Sequence, residues 1–135
     1  MGAPGLSQAS GDHPAQRSSL TGRGAREVVL SPSAQQELQR LEASPEKVSQ
    51  RIARRARALR PILLYDCLHG ELVRKSALPA ALVRQDGVEN LFIEDLPSFW
   101  RLLYTVVHEG SDRVVVVVEI VDHRAYDRWF PGRGH

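Results

Sequence analysis

One run, Arg113-Val-Val-Val-Val-Val-Glu-Ile-Val121, limits what this chain can fold into more than any other. β-Branched side chains lose rotamer freedom in a helix and fit the pleated surface of a strand. Strand residues alternate between faces, so a strand that is apolar at nearly every position must be covered on both sides. The run therefore predicts a central strand. Two segments ahead of it, residues 90–94 and 99–107, have similar character and are bounded by turn residues. Together the three predict consecutive strands in an antiparallel meander, with residues 108–112 closing the last hairpin. Within residues 99–107, Trp100, Leu102, Tyr104 and Val106 share one face, assigned to a helix-packed core. Arg101, Leu103 and Thr105 share the other, so Arg101 is expected to project from an open face of the sheet. Glu119, on the neighbouring strand with the same facing, is its candidate ion-pair partner.

Upstream, the hydrophobic period changes from two to between three and four. Residues 26–30 read as a short strand ended by Ser31-Pro32, a helix N-cap followed by proline at the first helical position. The helix that follows, to about Ala43, carries Ala34, Leu38 and Leu41 on one face. Ser44-Pro45-Glu46 repeats the start signal. The second helix carries Val48, Ile52, Ala56 and Leu59 on one stripe and is expected to end near Arg60, because Pro61 disfavours helical geometry in the residue before it. The two form an antiparallel helical hairpin. Between residues 61 and 90, Gly70, Pro79 and Asp86-Gly87 break the pattern, and one strand near Leu72-Val73 is expected with little order elsewhere. The fold class is α+β, in the order β-α-α-β-β-β with a mostly antiparallel sheet. Residues 1–25 are rich in Gly, Ser, Ala and Pro and show no periodicity, so they are expected to form a disordered arm ahead of one domain over residues 26–135.

The 135 residues and 42% hydrophobic content suit a single domain. Cys67 is the only cysteine, which excludes an intramolecular disulfide and a cysteine cluster for zinc, and points to a reducing, cytoplasmic setting. His69, His108 and His123 show no ligand-like spacing, so no metal or cofactor is expected. No apolar run approaches the roughly 20 residues of a membrane helix, and the N-terminus has no stretch resembling a signal peptide. The formal net charge of +2 is unevenly distributed: Lys47, Arg51, Arg54, Arg55, Arg57 and Arg60 follow one another without an acid. A nucleic acid or an acidic protein segment would suit that run, and so would a solvated helix face.

Two motifs are more specific. In Phe99-Trp100-Arg101-Leu102-Leu103-Tyr104-Thr105-Val106 an aromatic precedes an arginine and a second aromatic follows three residues after it. In Val121-Asp122-His123-Arg124-Ala125-Tyr126 a hydrophobic strand ends in His-Arg and a tyrosine. With the β-α-α-β-β-β order ahead of them, these resemble the RelE/ParE superfamily of small toxin-like proteins of bacterial and archaeal toxin–antitoxin systems, over roughly residues 26–130. The resemblance implies the toxin of a type II toxin–antitoxin pair, acting as a metal-independent endoribonuclease on translated mRNA. Its partners would be the ribosome with its mRNA and a cognate antitoxin, a small acidic protein.

In family members that cleave mRNA, the arginine matching Arg101 contacts phosphate, and a cation matching Arg124 and a tyrosine assist. Such chemistry needs a base for the 2′-hydroxyl, stabilisation of the pentacoordinate phosphate and an acid for the leaving oxygen. Arginine suits phosphate through its two parallel charge-assisted hydrogen bonds. His123, with a reference pKa near 6.5, suits proton transfer, and Tyr126 suits stacking or proton donation. The candidate catalytic residues are thus Arg101, His123, Arg124 and Tyr126, with Arg74, Lys75 and Arg101 as RNA ligands. Plainer roles also fit: His123 as a strand-end backbone partner, and Tyr126, Trp129 and Phe130 as cover for the core edge. The chain departs from the active nucleases in two ways. Leu91-Phe92-Ile93-Glu94-Asp95 is apolar and acidic where they carry lysines, and the tyrosine follows Arg124 by two residues where theirs lies farther on, Phe130 holding that place. A ParE-like inhibitor of DNA gyrase and a degenerate, non-toxic relative are the alternatives.

Overall fold

The structure, a computed structural model, describes residues 22–131. The valine-rich run forms most of β5 (Asp112–Val121), which lies inside a five-stranded sheet. On one side it pairs antiparallel with β4 (Arg101–Glu109), and on the other it pairs parallel with β1 (Glu27–Leu30). β3 (Phe92–Asp95) pairs antiparallel with β4, and the two-residue β2 (Glu71–Leu72) with β3, giving the order β1-β5-β4-β3-β2. Among the described residues, four α-helices accompany the sheet: α1 (Pro32–Ala43), α2 (Lys47–Tyr65), α3 (Ala80–Asp86) and α4 (His123–Trp129). This is the expected α+β arrangement. Among the described residues, no helix is long and apolar enough to cross a membrane.

β5 is covered on both faces, as its composition demands. On one face Val115, Val117 and Ile120, with Leu102, Tyr104 and Val106 of β4, pack against the α1–α2 hairpin through Leu41, Ile52, Leu59 and Leu63. On the other, Leu103, Val118 and Val121 meet Leu82, Tyr126 and Phe130. The facing assigned to β4 is therefore correct, but the second face is not open. The segment after β2 and helix α4 cover it, because Val73, Leu82, Val88, Tyr126 and Phe130 supply an apolar lid for a strand that has no polar side. A bulge keeps the alternation consistent. Leu103 faces Glu119 and Tyr104 faces Val117, so Val118 is the extra residue and Ile120 returns to the helix side.

Several local expectations are corrected. Ser31 caps α1 by accepting from the Ala34 amide at 3.0 Å, as its position suggests. Ser44, however, ends α1, and α2 begins at Lys47 with Glu46 as its N-cap. Val48 lies exposed, and the buried stripe runs through Ser49, Ile52, Ala53, Ala56, Leu59 and Leu63. Pro61 does not end α2, which continues to Tyr65. An interior proline costs about 3 kcal/mol. Continuing the helix buries Leu63 and partly buries Ile62 and Leu64, at roughly 1.5–3 kcal/mol for each fully buried side chain, so packing outweighs the lost bond.

The region expected to have little order holds a 3-10 turn (Lys75–Ala77) and α3, which stops at Gly87 in the left-handed region, φ 64°. The β4–β5 connection is only Gly110-Ser111, with Gly110 at φ 64°, so residues 108, 109 and 112 belong to the strands. Arg26 bridges that hairpin end. Hydrogen bonds to Glu109, Glu27 and Asp112 hold its guanidinium pKa above the usual arginine range. Of the expected N-terminal arm, residues 1–21 lie outside the described residues, as do residues 132–135 at the other end. Residues 22–25 are part of the fold: Ala25 is buried and donates to Leu64 O at 2.9 Å, and Arg23 O accepts from the Cys67 amide at 2.7 Å.

Candidate functional site

Strand register brings the two motifs to one end of the sheet. Arg101 opens β4 and pairs with Val121, the last residue of β5, while Asp95, the last residue of β3, flanks Arg101 from the other side. Beyond Val121, Asp122 accepts from the Ala125 amide at 2.9 Å and so fixes the start of α4. That cap places His123 and Arg124 in the first turn of α4, beside the row that contains Arg101.

Arg101 is held on three sides. Its Nε lies 3.1 Å from Asp95 Oδ1, its Nη1 donates to Trp100 O at 3.1 Å, and its guanidinium sits 5.0 Å from the centre of the Tyr126 ring. The partner expected for it, Glu119, is elsewhere. Glu119 lies opposite Leu103 and accepts from Ser33 Oγ at 2.9 Å, and burial pushes its carboxyl pKa up. Asp95 wins because it is directly across from Arg101, whereas Glu119 lies across from Leu103, two residues farther along β4. The Asp95 carboxylate is 84% exposed against 14% for the Arg101 side chain. An ion pair with such an exposed partner contributes about 0–1 kcal/mol, so Asp95 is a weakly held partner for Arg101.

The remaining candidates separate into distinct environments. His123 is exposed, with Nε2 3.4 Å from Asp127 Oδ2 and its ring 5.9 Å from that of Phe99. Arg124 is exposed. Tyr126 is buried, with Phe130 4.9 Å away ring to ring, so it packs beneath Arg101 and is not presented to a nucleobase. Arg74 and Lys75 are not brought to this corner. They follow Val73, whose amide bonds Leu91 O, and Leu91 lies about 13 Å along the strand from Asp95.

Sequence reasoning missed two features here. His69 Nδ1 lies 2.7 Å from Glu94 Oε2, and Glu94 is buried beside Asp95. This pair depends on β2–β3 pairing between distant residues, for which no spacing gives a signal. Phe99 is the second feature, with an exposed ring and φ 65°. Its aromatic character reads as strand and conceals a turn position. Among the described residues, no group of three or more His, Cys, Asp or Glu side chains is arranged to hold a metal ion.

A second surface lies between the helical hairpin and the sheet edge. An apolar cavity of about 330 Å³ is lined by Val28, Leu30, Leu38, Leu59 and Ile120, with Arg57 and Arg60 also in its wall. Arg60 donates to Val28 O at 2.9 Å on the edge strand β1, and Arg57 pairs with Glu42. The rest of the basic run, Lys47, Arg51, Arg54 and Arg55, is exposed on α2. Comparison with protein-family models, curated proteins and solved structures finds no match for this chain.

Proposed function

We propose that this chain is the toxin of a type II toxin–antitoxin pair, of RelE/ParE type, and that it cleaves translated mRNA without a metal. The observation that carries this reading is the pairing of Arg101 with Val121, the strand residue that His123 and Arg124 of the second motif follow by two and three positions. In this reading the Arg101 fork takes the phosphate in place of Asp95, and Arg124 adds a second positive charge to the pentacoordinate state. His123 takes the proton of the attacking 2′-hydroxyl and, as the P–O5′ bond breaks, returns it to the leaving 5′-oxygen, with Asp127 orienting its ring. Tyr126 acts as a positioning residue beneath Arg101. The antitoxin would be an acidic, amphipathic segment, whose apolar side fits the cavity beside β1 and whose carboxylates meet Arg57 and Arg60.

A ParE-like inhibitor of DNA gyrase is the second reading. It is favoured by the burial of the Arg101 side chain and by Glu94 and Asp95 on β3, where a nuclease would carry cations. One experiment separates them: induced expression of the intact chain and of Arg101→Ala, following growth, transcript integrity and plasmid supercoiling together. Growth arrest with cut transcripts, both abolished by Arg101→Ala, supports the nuclease. Arrest with intact transcripts and inhibited supercoiling supports the gyrase reading. Normal growth with intact transcripts overturns both in favour of a non-toxic relative.

A further inference from the structure

The link between β3 and β4 is a tight turn in which the Trp100 amide donates to Pro97 O at 3.3 Å. Both central residues are left-handed, Ser98 at φ 61°, ψ 35° and Phe99 at φ 65°. Such turns are ordinarily built from Asn-Gly, which reaches positive φ with little strain. For a bulky side chain, positive φ is a genuine outlier. Burial does not offset that strain, because Phe99 is 70% exposed, more than any other large apolar side chain among the described residues. What the strained turn achieves is placement: the ring stands two residues from Arg101, with the His123 ring tilted 56° against it at 5.9 Å. Strain of this kind gathers at functional sites, and here it is observed, not assumed.

We infer that Phe99 is a nucleobase-stacking residue: a base of single-stranded RNA packs on its exposed face, flanked by His123, while the adjoining phosphate goes to Arg101. The inference rests on the RNA-binding reading of the corner and adds a recognition element to it. An exposed aromatic beside arginines is the pairing that single-stranded RNA recognition uses, a π-face for the base and a cation for the backbone. A protein hot spot would also use an aromatic, but His123 against the ring, with Arg124 next to it in sequence and Arg101 two residues along the chain, matches a polyanion better than an apolar pocket filler.

The test is binding of a labelled single-stranded oligoribonucleotide, and of an abasic strand of equal length, to the intact chain and to variants. Phe99→Gly should weaken binding of the base-bearing strand about 5–150-fold, the range for loss of one stacked base, and leave the abasic strand unaffected. Phe99→Gly should also raise the melting temperature, since glycine relieves the turn. Phe99→Leu keeps the bulk without the π-face and should lose binding equally, while Phe99→Tyr should retain it. Arg101→Ala should weaken both strands. Equal binding of both strands by Phe99→Gly and Phe99→Leu relative to the parent overturns the proposal, and would be the result if Phe99 anchors a protein. Transcript cleavage is read separately. Base-selective loss in a chain that cuts no RNA keeps the stacking platform and removes the nuclease; cleavage with no effect of Phe99 does the reverse.

Discussion

Tyr104 is fully buried on the helix side of β4, its ring stacked on Phe92 with centroids 5.0 Å apart and 9° between the planes. Its hydroxyl accepts from the Gly70 amide at 2.9 Å, and burial pushes the phenol pKa well above the usual range. Tyr104→Phe keeps the stack but leaves the Gly70 N–H without that acceptor, which should lower stability by about 1–3 kcal/mol in urea titration. An unchanged midpoint would show that another acceptor takes over. Gly70 has no room for a side chain, since a Cβ there would lie 2.9 Å from Ile93 O and 3.1 Å from the Tyr104 side chain. Glu119 offers a pH-dependent counterpart. Burial, with Asp86 and Glu37 nearby, raises its folded pKa above the ordinary 4.5. The folded chain therefore holds that proton more tightly than the unfolded chain, and ionisation lowers stability as pH rises through the folded value. Glu119→Gln keeps an acceptor for Ser33 and removes the charge. It should raise the melting temperature near neutral pH and lose that advantage below 4.5. A lower melting temperature at neutral pH would mean that a cation compensates the buried carboxylate. At this scale the facing of Arg101 was legible from alternation alone. Its partner was not, because pairing with Asp95 depends on register, and neither was the positive φ of Phe99, which no residue type announces.

Helix α1 and strand β5 were legible because each carries its own signal over many residues: a cap with a periodic stripe for α1, a run of five valines for β5. Of the short elements, β2 matches the strand expected near Leu72-Val73, whereas α3 was not expected. A seven-residue α3 shows less than two full turns of periodicity and is held by Leu82 in the core, while a two-residue β2 shows no periodicity and its extent is set by backbone pairing with Phe92 and Ile93. The parallel pairing of β1 with β5 is equally invisible locally, since it depends on the α1–α2 hairpin returning the chain across the sheet. Pro61 marks the limit of local rules. It sits exposed in α2, where its ring withholds a hydrogen bond from the carbonyl of Arg57. Pro61→Ala restores that donor, for about 3 kcal/mol, and loses roughly 1 kcal/mol because the unfolded chain gains freedom. A net stabilisation of about 2 kcal/mol is expected from thermal or urea unfolding. Destabilisation would show that a proline-dependent bend seats Leu63 in the core.

On the scale of the molecule, two apolar clusters share one sheet, and the candidate site draws on both. Trp100 packs against the helix-side cluster, while Arg101, its neighbour in sequence, points to the side covered by Tyr126 and Phe130. The two central strands serve both clusters: β4 and β5 contribute Leu102 and Ile120 to one and Leu103 and Val121 to the other. Melting one side would therefore strip cover from strands that the other side requires, so the domain should unfold as a unit. The two tryptophans allow a direct test, because Trp129 packs against the second cluster as Trp100 does against the first. In Trp129→Phe, fluorescence reports the helix side; in Trp100→Phe, it reports the α4 side. Within each variant, the urea midpoint from fluorescence should coincide with that from far-UV circular dichroism. An earlier fluorescence midpoint in Trp100→Phe alone would mean that α4 and its cluster detach first. His123 and Arg124 would then leave Arg101 before the sheet itself is lost, and the corner could be dismantled without unfolding the domain.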